Sequence, residues 1–177
     1  LRIVGGKYGG RVLSGFEGKD IRPTSDKARE SLFNILRNRI YGSNFLDLFC
    51  GTGAIGIEAI SHGAKTVTFN DIERKSLAVL KSNLEKLKVT EDYKITNFDA
   101  LSFLMRSGPV YDIIYIDPPY KMDIYDKLLK LSVNALNDGG IVIFESEQPF
   151  DGQVDGLIKY DERKYGRARL TFYKKGE

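Results

Sequence analysis

Residues that build covalent frameworks and metal centres are nearly missing from this chain. Its 177 residues include a single cysteine, Cys50, and a single histidine, His62. One cysteine excludes an internal disulfide framework, makes a disulfide-linked partner unexpected and suits a reducing cytoplasm. One thiol and one imidazole cannot supply the usual nitrogen and sulfur ligands of zinc, so no metal is expected. No apolar run approaches bilayer-spanning length and no signal-peptide pattern opens the sequence, so no membrane association is expected. Internal repeats and low-complexity segments are also lacking. What is present, 42% hydrophobic and 29% charged residues, is the composition of an ordinary globular protein. The chain is long enough for one substantial core.

Charge is unevenly spread. Residues 1–41 carry 9 Lys/Arg against 4 Asp/Glu, residues 42–158 carry 11 against 17, and residues 159–175 return to 7 against 2. Basic ends around an acidic centre fit termini that meet a polyanion while the middle does something else. Solvated surface charge is the plainer alternative. The expected organisation is a single domain over 1–177, with a basic N-terminal extension at 1–41 and a core at 42–177.

Hydrophobic periodicity predicts alternating elements. Arg2-Ile3-Val4 and Arg11-Val12-Leu13 read as a hairpin. Arg22-Pro23-Thr24-Ser25-Asp26 supplies turn and N-cap residues for a helix over about 27–40. Strands then follow at 44–49, 66–69, 93–95, 112–116 and 141–145, with helices at 54–62, 73–87, about 101–105 and 124–136. The segments 156–160 and 167–173, around Tyr165-Gly166, read as a closing hairpin. This order implies an α/β fold: a Rossmann-like, doubly wound, mostly parallel sheet with a C-terminal antiparallel hairpin and a small N-terminal β-hairpin plus helix extension.

Between the first strand and helix of that core lies Gly51-Thr52-Gly53-Ala54-Ile55-Gly56, a G-x-G-x-x-G turn. Asp71 follows Gly51 by 20 residues, at the end of the next strand, where an acid can accept hydrogen bonds from ribose hydroxyls. An NAD-dependent dehydrogenase is therefore a candidate. Charge argues for another cofactor. Asp47, Asp71, Asp99 and Asp117 all fall at or just beyond strand ends, so a parallel sheet would line one crevice with them. Such a crevice repels a pyrophosphate and welcomes a cation. One opposite charge at roughly 4 Å is worth on the order of 1–4 kcal/mol. S-adenosylmethionine, with a sulfonium, an ammonium and two free ribose hydroxyls, fits these acids better than a dinucleotide. For Asp47 and Asp99 the alternative is helix capping.

Asp117-Pro118-Pro119-Tyr120 hangs from the carboxyl end of the predicted strand 112–116, where open α/β sheets bind ligands. An aromatic exocyclic amine is a poor nucleophile because its lone pair is delocalised. Hydrogen bonds from its N–H groups to Asp117 and the Pro118 carbonyl would hold it and favour a pyramidal nitrogen. Pro119 pins the backbone before it, and stacking of a base on Tyr120 is worth roughly 1–3 kcal/mol. Such contact requires a flipped or extrahelical base. Methyl transfer from a sulfonium is a direct displacement, so alignment is the main task and no covalent nucleophile is needed. A plain strand-ending turn is the alternative reading of the tetrapeptide. Cys50 is read as a small buried residue rather than the nucleophile of pyrimidine methylation, and His62 as a helix-end residue.

Together these residues resemble the class I S-adenosylmethionine-dependent methyltransferases whose (D/N)-P-P-(Y/F/W) motif serves amino groups of nucleobases. More closely, the chain resembles the bacterial RsmD-type 16S rRNA (guanine-N2)-methyltransferase family. The likeness runs through Arg2 to Gly6, Gly10 to Leu13, Arg22 to Asn34, Asp47 to Ala59 and Asp117 to Tyr120. The Arg22 to Asn34 block is the most telling, because generic Rossmann-like enzymes lack it. The resemblance implies that the turn at Asp47, Gly51 and Gly53 holds the methionine part of the cofactor. It implies ribose contacts from Asp71 and adenine contacts from Asp99 and Ala100, with Cys50 and Ile72 also counted as cofactor-binding. Asp117, Pro118, Pro119 and Tyr120 would hold a guanine whose N2 takes the methyl group, leaving S-adenosylhomocysteine. The implied partner is ribosomal RNA, within the small ribosomal subunit. Phosphate contacts would come from Arg2, Lys7, Arg11, Arg22 and Arg29, and from Arg163, Lys164, Arg167 and Arg169. An adenine-N6 or protein-amide methyltransferase and a non-enzymatic RNA-binding module are the competing readings.

Overall fold

A computed structural model describes residues 1–15, 24–119 and 123–176. Seven strands form one sheet: β1 (Asn44–Asp47), β2 (Thr66–Asn70), β3 (Asp92–Thr96), β4 (Tyr111–Ile116), β5 (Leu136–Ser146), β6 (Leu157–Tyr165) and β7 (Ala168–Lys175). The helices are α1 (Asp26–Ile35), α2 (Ala54–Ser61), α3 (Arg74–Leu87), α4 (Ala100–Met105) and α5 (Tyr125–Ala135). Strand order is β3-β2-β1-β4-β5-β7-β6. β1 to β5 are mutually parallel, and β7 inserts antiparallel between β5 and β6. The winding reverses between β1 and β4, which leaves a crevice at their carboxyl ends.

The central strands are apolar on both faces, so each face needs its own cover. Phe45, Ile113, Tyr115, Ile141 and Ile143 pack into one layer with Leu32 and Phe33 of α1, Ile57 of α2 and Leu80 of α3. Leu46, Ile114, Ile116, Val142 and Phe144 pack into the other with Phe103 of α4 and Leu128 and Leu129 of α5. Among the described residues no helix is long and apolar enough to cross a membrane.

Two expectations are corrected below, while the N-terminal hairpin is short: an antiparallel bridge between Arg2 and Val12, flanked by backbone bonds from the Ile3 N–H to Arg11 and from the Leu13 N–H to Leu1. Its anchorage comes from packing, since Ile3, Tyr8 and Leu13 enter the first core layer. The backbone N–H groups of Lys7 and Tyr8 also bond Ser61 at the end of α2. Helix α1 stops at Ile35 rather than near 40. Tight turns then carry Ile40 into the core, and the Ser43 hydroxyl donates to the Ile40 carbonyl just before β1 begins. β5 starts early because Leu136 already pairs with Tyr111; the glycine turn survives as an irregularity before Ile141 pairs with Ile113.

Candidate active site

The carboxyl ends of β1, β2, β4 and β5 open into a cavity of about 1040 Å³. One half is built around the turn after β1. Gly53 caps α2 with φ 94°, and a Cβ there would lie 2.3 Å from Leu80 Cδ1. A Cβ on Gly56 would lie 2.2 Å from Phe69 Cε1. These glycines let α2 settle against α3 and β2. Asp47 stands beneath the turn: its Oδ2 accepts the Gly56 N–H at 3.0 Å and its side chain is buried. Burial, with the Asp71 and Glu145 charges adding, pushes the Asp47 carboxyl up to about 7.

The cavity wall here consists of Gly51, Asp71, Ile72, Phe98, Asp99 and Ala100 among others. Asp71 accepts the Gly51 N–H on Oδ2 and the Glu73 N–H on Oδ1, both at 2.8 Å. A carboxylate has about four acceptor positions, so capacity for two hydroxyls remains. Asp99 caps α4 by accepting the Ser102 N–H and also lines the cavity, so capping and lining coexist. Ile72 is 69% exposed and Phe98 43%, two apolar surfaces at the cavity that a flat ring would cover. Buried Asn70 ties the segment together, donating to the Leu48 and Phe98 carbonyls while its oxygen accepts the Phe98 N–H. Acids, spare hydroxyl acceptors and apolar faces fit a molecule carrying a positive charge, a ribose and a purine.

Asp47 and Cys50 are buried behind this turn, and Gly53 packs against Leu80. Burial drives the Cys50 thiol above the physiological range, and it donates to the Gly51 carbonyl at 3.6 Å.

The other half of the cavity belongs to β4 and β5. Ile116 pairs with Phe144, so Asp117 and Glu145 follow side by side on adjacent parallel strands. Glu145 Oε2 accepts hydrogen bonds from Thr24 Oγ1 at 2.9 Å and from the Tyr115 hydroxyl. Burial, then the Glu145 and Asp47 charges, raises the Asp117 carboxyl well above the usual range. Glu145 is raised by burial as well, against the opposing bonds from Tyr115 and Thr24. Pro118 and Pro119 line the cavity beside them. Tyr120 lies outside the described residues, as does Arg22. Sequence reasoning missed Glu145, Thr24 and Phe98; the available signal for Glu145 was that it falls at the carboxyl end of a strand, as Asp117 does.

A family model described as "Conserved hypothetical protein 95" matches residues 1–174. Ribosomal RNA small subunit methyltransferase D of Escherichia coli (strain K12) is 37% identical over 155 residues, 88% of this chain and 76% of that protein. The chain belongs to this methyltransferase D family. The family's Buchnera aphidicola (subsp. Baizongia pistaciae) member is 35% identical over 179 residues, covering 98% of this chain and 91% of that one. The solved structure of Escherichia coli yhhF superposes with a TM-score of 0.89 at 32% identity, over 99% of this chain and 97% of that chain.

The basic residues of this family member divide sharply. Arg29, expected on phosphate, is corrected: it is fully buried, donating to Glu58 Oε1 at 3.0 Å, to the Arg2 and Thr24 carbonyls and to Asp26. Lys7 pairs with Glu91 at 2.7 Å, just before β3, and Arg11 bonds the Lys86 carbonyl near the end of α3. Both therefore sit at the amino ends of the strands, roughly 15 Å from the cavity by strand rise. Arg2 is exposed beside Val12. Arg163 and Arg169 pair with Asp161 and Glu162. Lys27, Lys164 and Arg167 lie on the cavity wall.

Proposed function

We infer that this protein is an S-adenosylmethionine-dependent methyltransferase acting on the exocyclic N2 amine of a guanine in 16S ribosomal RNA. The observation that carries the reading is one cavity holding both halves of the chemistry. Asp71, Ile72, Asp99 and Ala100 face Asp117, Pro118 and Pro119 across it, in a chain of the methyltransferase D family. The adenine-N6 and non-enzymatic readings are not favoured.

Bound S-adenosylmethionine supplies a methyl carbon on a cationic sulfur, open to direct displacement. Asp71 takes the ribose hydroxyls on its spare lone pairs. Ile72 and Phe98 cover the purine, with Asp99 and Ala100 at its edge. The Gly51 to Gly53 turn, braced from below by Asp47, holds the methionine end. Asp117 and the Pro118 carbonyl accept the N–H groups of the target amine and turn its lone pair toward the methyl carbon. Tyr120 remains the expected stacking partner for the base. As the C–N bond formed, the bond from sulfur to the methyl carbon would break, leaving S-adenosylhomocysteine, and the nitrogen would shed a proton that Asp117 or Glu145 could receive. Lys27, Lys164 and Arg167 contact RNA phosphates around the target. The substrate is the RNA of the small ribosomal subunit, met in the cytoplasm, and the chemistry calls for no metal.

The test is transfer of labelled methyl to unmodified 30S particles, followed by digestion to nucleosides. Labelled N2-methylguanosine is expected; label in N6-methyladenosine, or none, would sink the reading.

A further inference from the structure

Glu145 is not accounted for by methyl-donor binding. It stands on the acceptor side of the cavity beside Asp117, each one residue past the paired Ile116 and Phe144. Neighbouring strands lie about 4.8 Å apart, so the two carboxylates form a double acceptor. Oε2 of Glu145 is committed, taking hydrogen bonds from Thr24 Oγ1 and the Tyr115 hydroxyl. Oε1 accepts from none of the described residues, which leaves it for a ligand. Thr24 is itself held in place, because buried Arg29 donates to its carbonyl at 3.1 Å. Glu145 is therefore a fixed acceptor with one free oxygen, adjacent to the acid assigned to the target amine.

We propose that Glu145 is the residue that selects guanine, by accepting its N1–H while Asp117 accepts an N2–H. This rests on the guanine-N2 reading above and deepens it. The chemistry follows from the base edges. Guanine presents two neighbouring donors, N1–H and N2–H, to a pair of acceptors. Adenine presents its amine beside a bare N1 lone pair, which a carboxylate repels. Binding energy from a hydrogen bond to a charged group then becomes discrimination, because the wrong base leaves a buried carboxylate unpaired.

2-Aminopurine probes this contact in combination with the Glu145 variant, because it lacks both the N1–H and O6 of guanine. It keeps the C2 amine that receives the methyl group and replaces N1–H by a lone pair. The experiment uses 30S particles reconstituted with 16S RNA carrying either guanine or 2-aminopurine at the methylated position, located beforehand by mass spectrometry. Wild-type enzyme is expected to prefer guanine roughly 10- to 100-fold in kcat/KM. In Glu145→Gln the amide can donate to the N1 lone pair, so that preference should fall to within a few-fold of unity. Calorimetry with S-adenosylmethionine confirms that the variant is folded, since Glu145 is on the acceptor side. A variant that binds cofactor and keeps the wild-type preference overturns the proposal. Equal wild-type rates on the two particles overturn it by themselves; if the glutamine variant does not fold, Glu145→Ala takes its place, and an unchanged preference there overturns the proposal while a lost preference supports it. Failure of wild-type enzyme to methylate any guanine would instead strike the functional reading itself.

Discussion

Asp117 and Glu145 end adjacent parallel strands shoulder to shoulder, and the Glu145 charge adds to burial in holding the Asp117 carboxyl above its ordinary range. Ionised Asp117 accepts an amine N–H more strongly than the protonated acid does, and only the ionised form can take up the proton that the amine sheds. Activity is therefore expected to fall on the acid side at a higher pH than an ordinary aspartate would give. Glu145→Gln removes the neighbouring charge and leaves the burial. Its acid limb should move to lower pH while staying above that of a free carboxyl. A kcat/KM profile on 30S particles checks this; an unmoved limb would contradict the coupling.

Asp47 makes the ligand-free protein sensitive to pH in a defined direction. Its carboxyl titrates near 7 when folded against 3.8 otherwise. Between those values the folded state keeps a proton that the unfolded state has lost. Stability contributed by this group therefore falls as pH rises from about 4 to about 7. Asp47→Asn abolishes the effect while its side-chain oxygen can still accept the Gly56 N–H. The variant should be more stable than wild type at pH 8, by at most about 4 kcal/mol, and nearly equal to it near pH 4. Urea denaturation at the two pH values measures the difference. Lower stability of the variant at pH 8 would show that the charge is welcome in the empty site.

The rim acids Asp71, Asp99 and Asp117 were legible because strand ends are legible: an apolar run such as 113–116 stops where the polar residue begins. The glycine turn was readable for the same local reason. Glu145 was not, because its meaning depends on β5 lying beside β4, a fact of strand order rather than of any motif. Asp47 ends β1 as expected, and its buried carboxylate accepts the Gly56 N–H. Basic residues were the least readable. Arg29 and Glu58 are 29 positions apart and Lys7 and Glu91 are 84 apart, and each pairing exists only in the folded chain.

Arg29 should act on stability. Arg29→Ala would strand Glu58, which is fully buried and also accepts the Val4 N–H. Breaking one side of a buried pair costs about 3–5 kcal/mol. Adding Glu58→Gln should recover part of that loss, because the orphaned charge disappears. Urea unfolding of the two single variants and the double variant tests the coupling. Additive losses would mean that the two side chains do not depend on each other.

The cavity-wall cations predict where RNA approaches. Lys164 near the end of β6 and Arg167 on the turn joining β6 to β7 line the same cavity as the acceptor acids, whereas Lys7 is engaged with Glu91 at the opposite ends of the strands. Each phosphate contact steepens the dependence of log affinity on log salt by about 0.7 to 0.9. Lys164→Ala and Arg167→Ala should each flatten that slope by about 1, with S-adenosylmethionine affinity unchanged. Lys7→Ala should leave the slope as it is. Titrations of each variant with 30S particles across a range of potassium chloride, alongside cofactor calorimetry, provide the comparison. If Lys7→Ala flattens the slope as much as Arg167→Ala, the RNA also crosses the amino edge of the sheet, and the footprint is wider than the cavity rim.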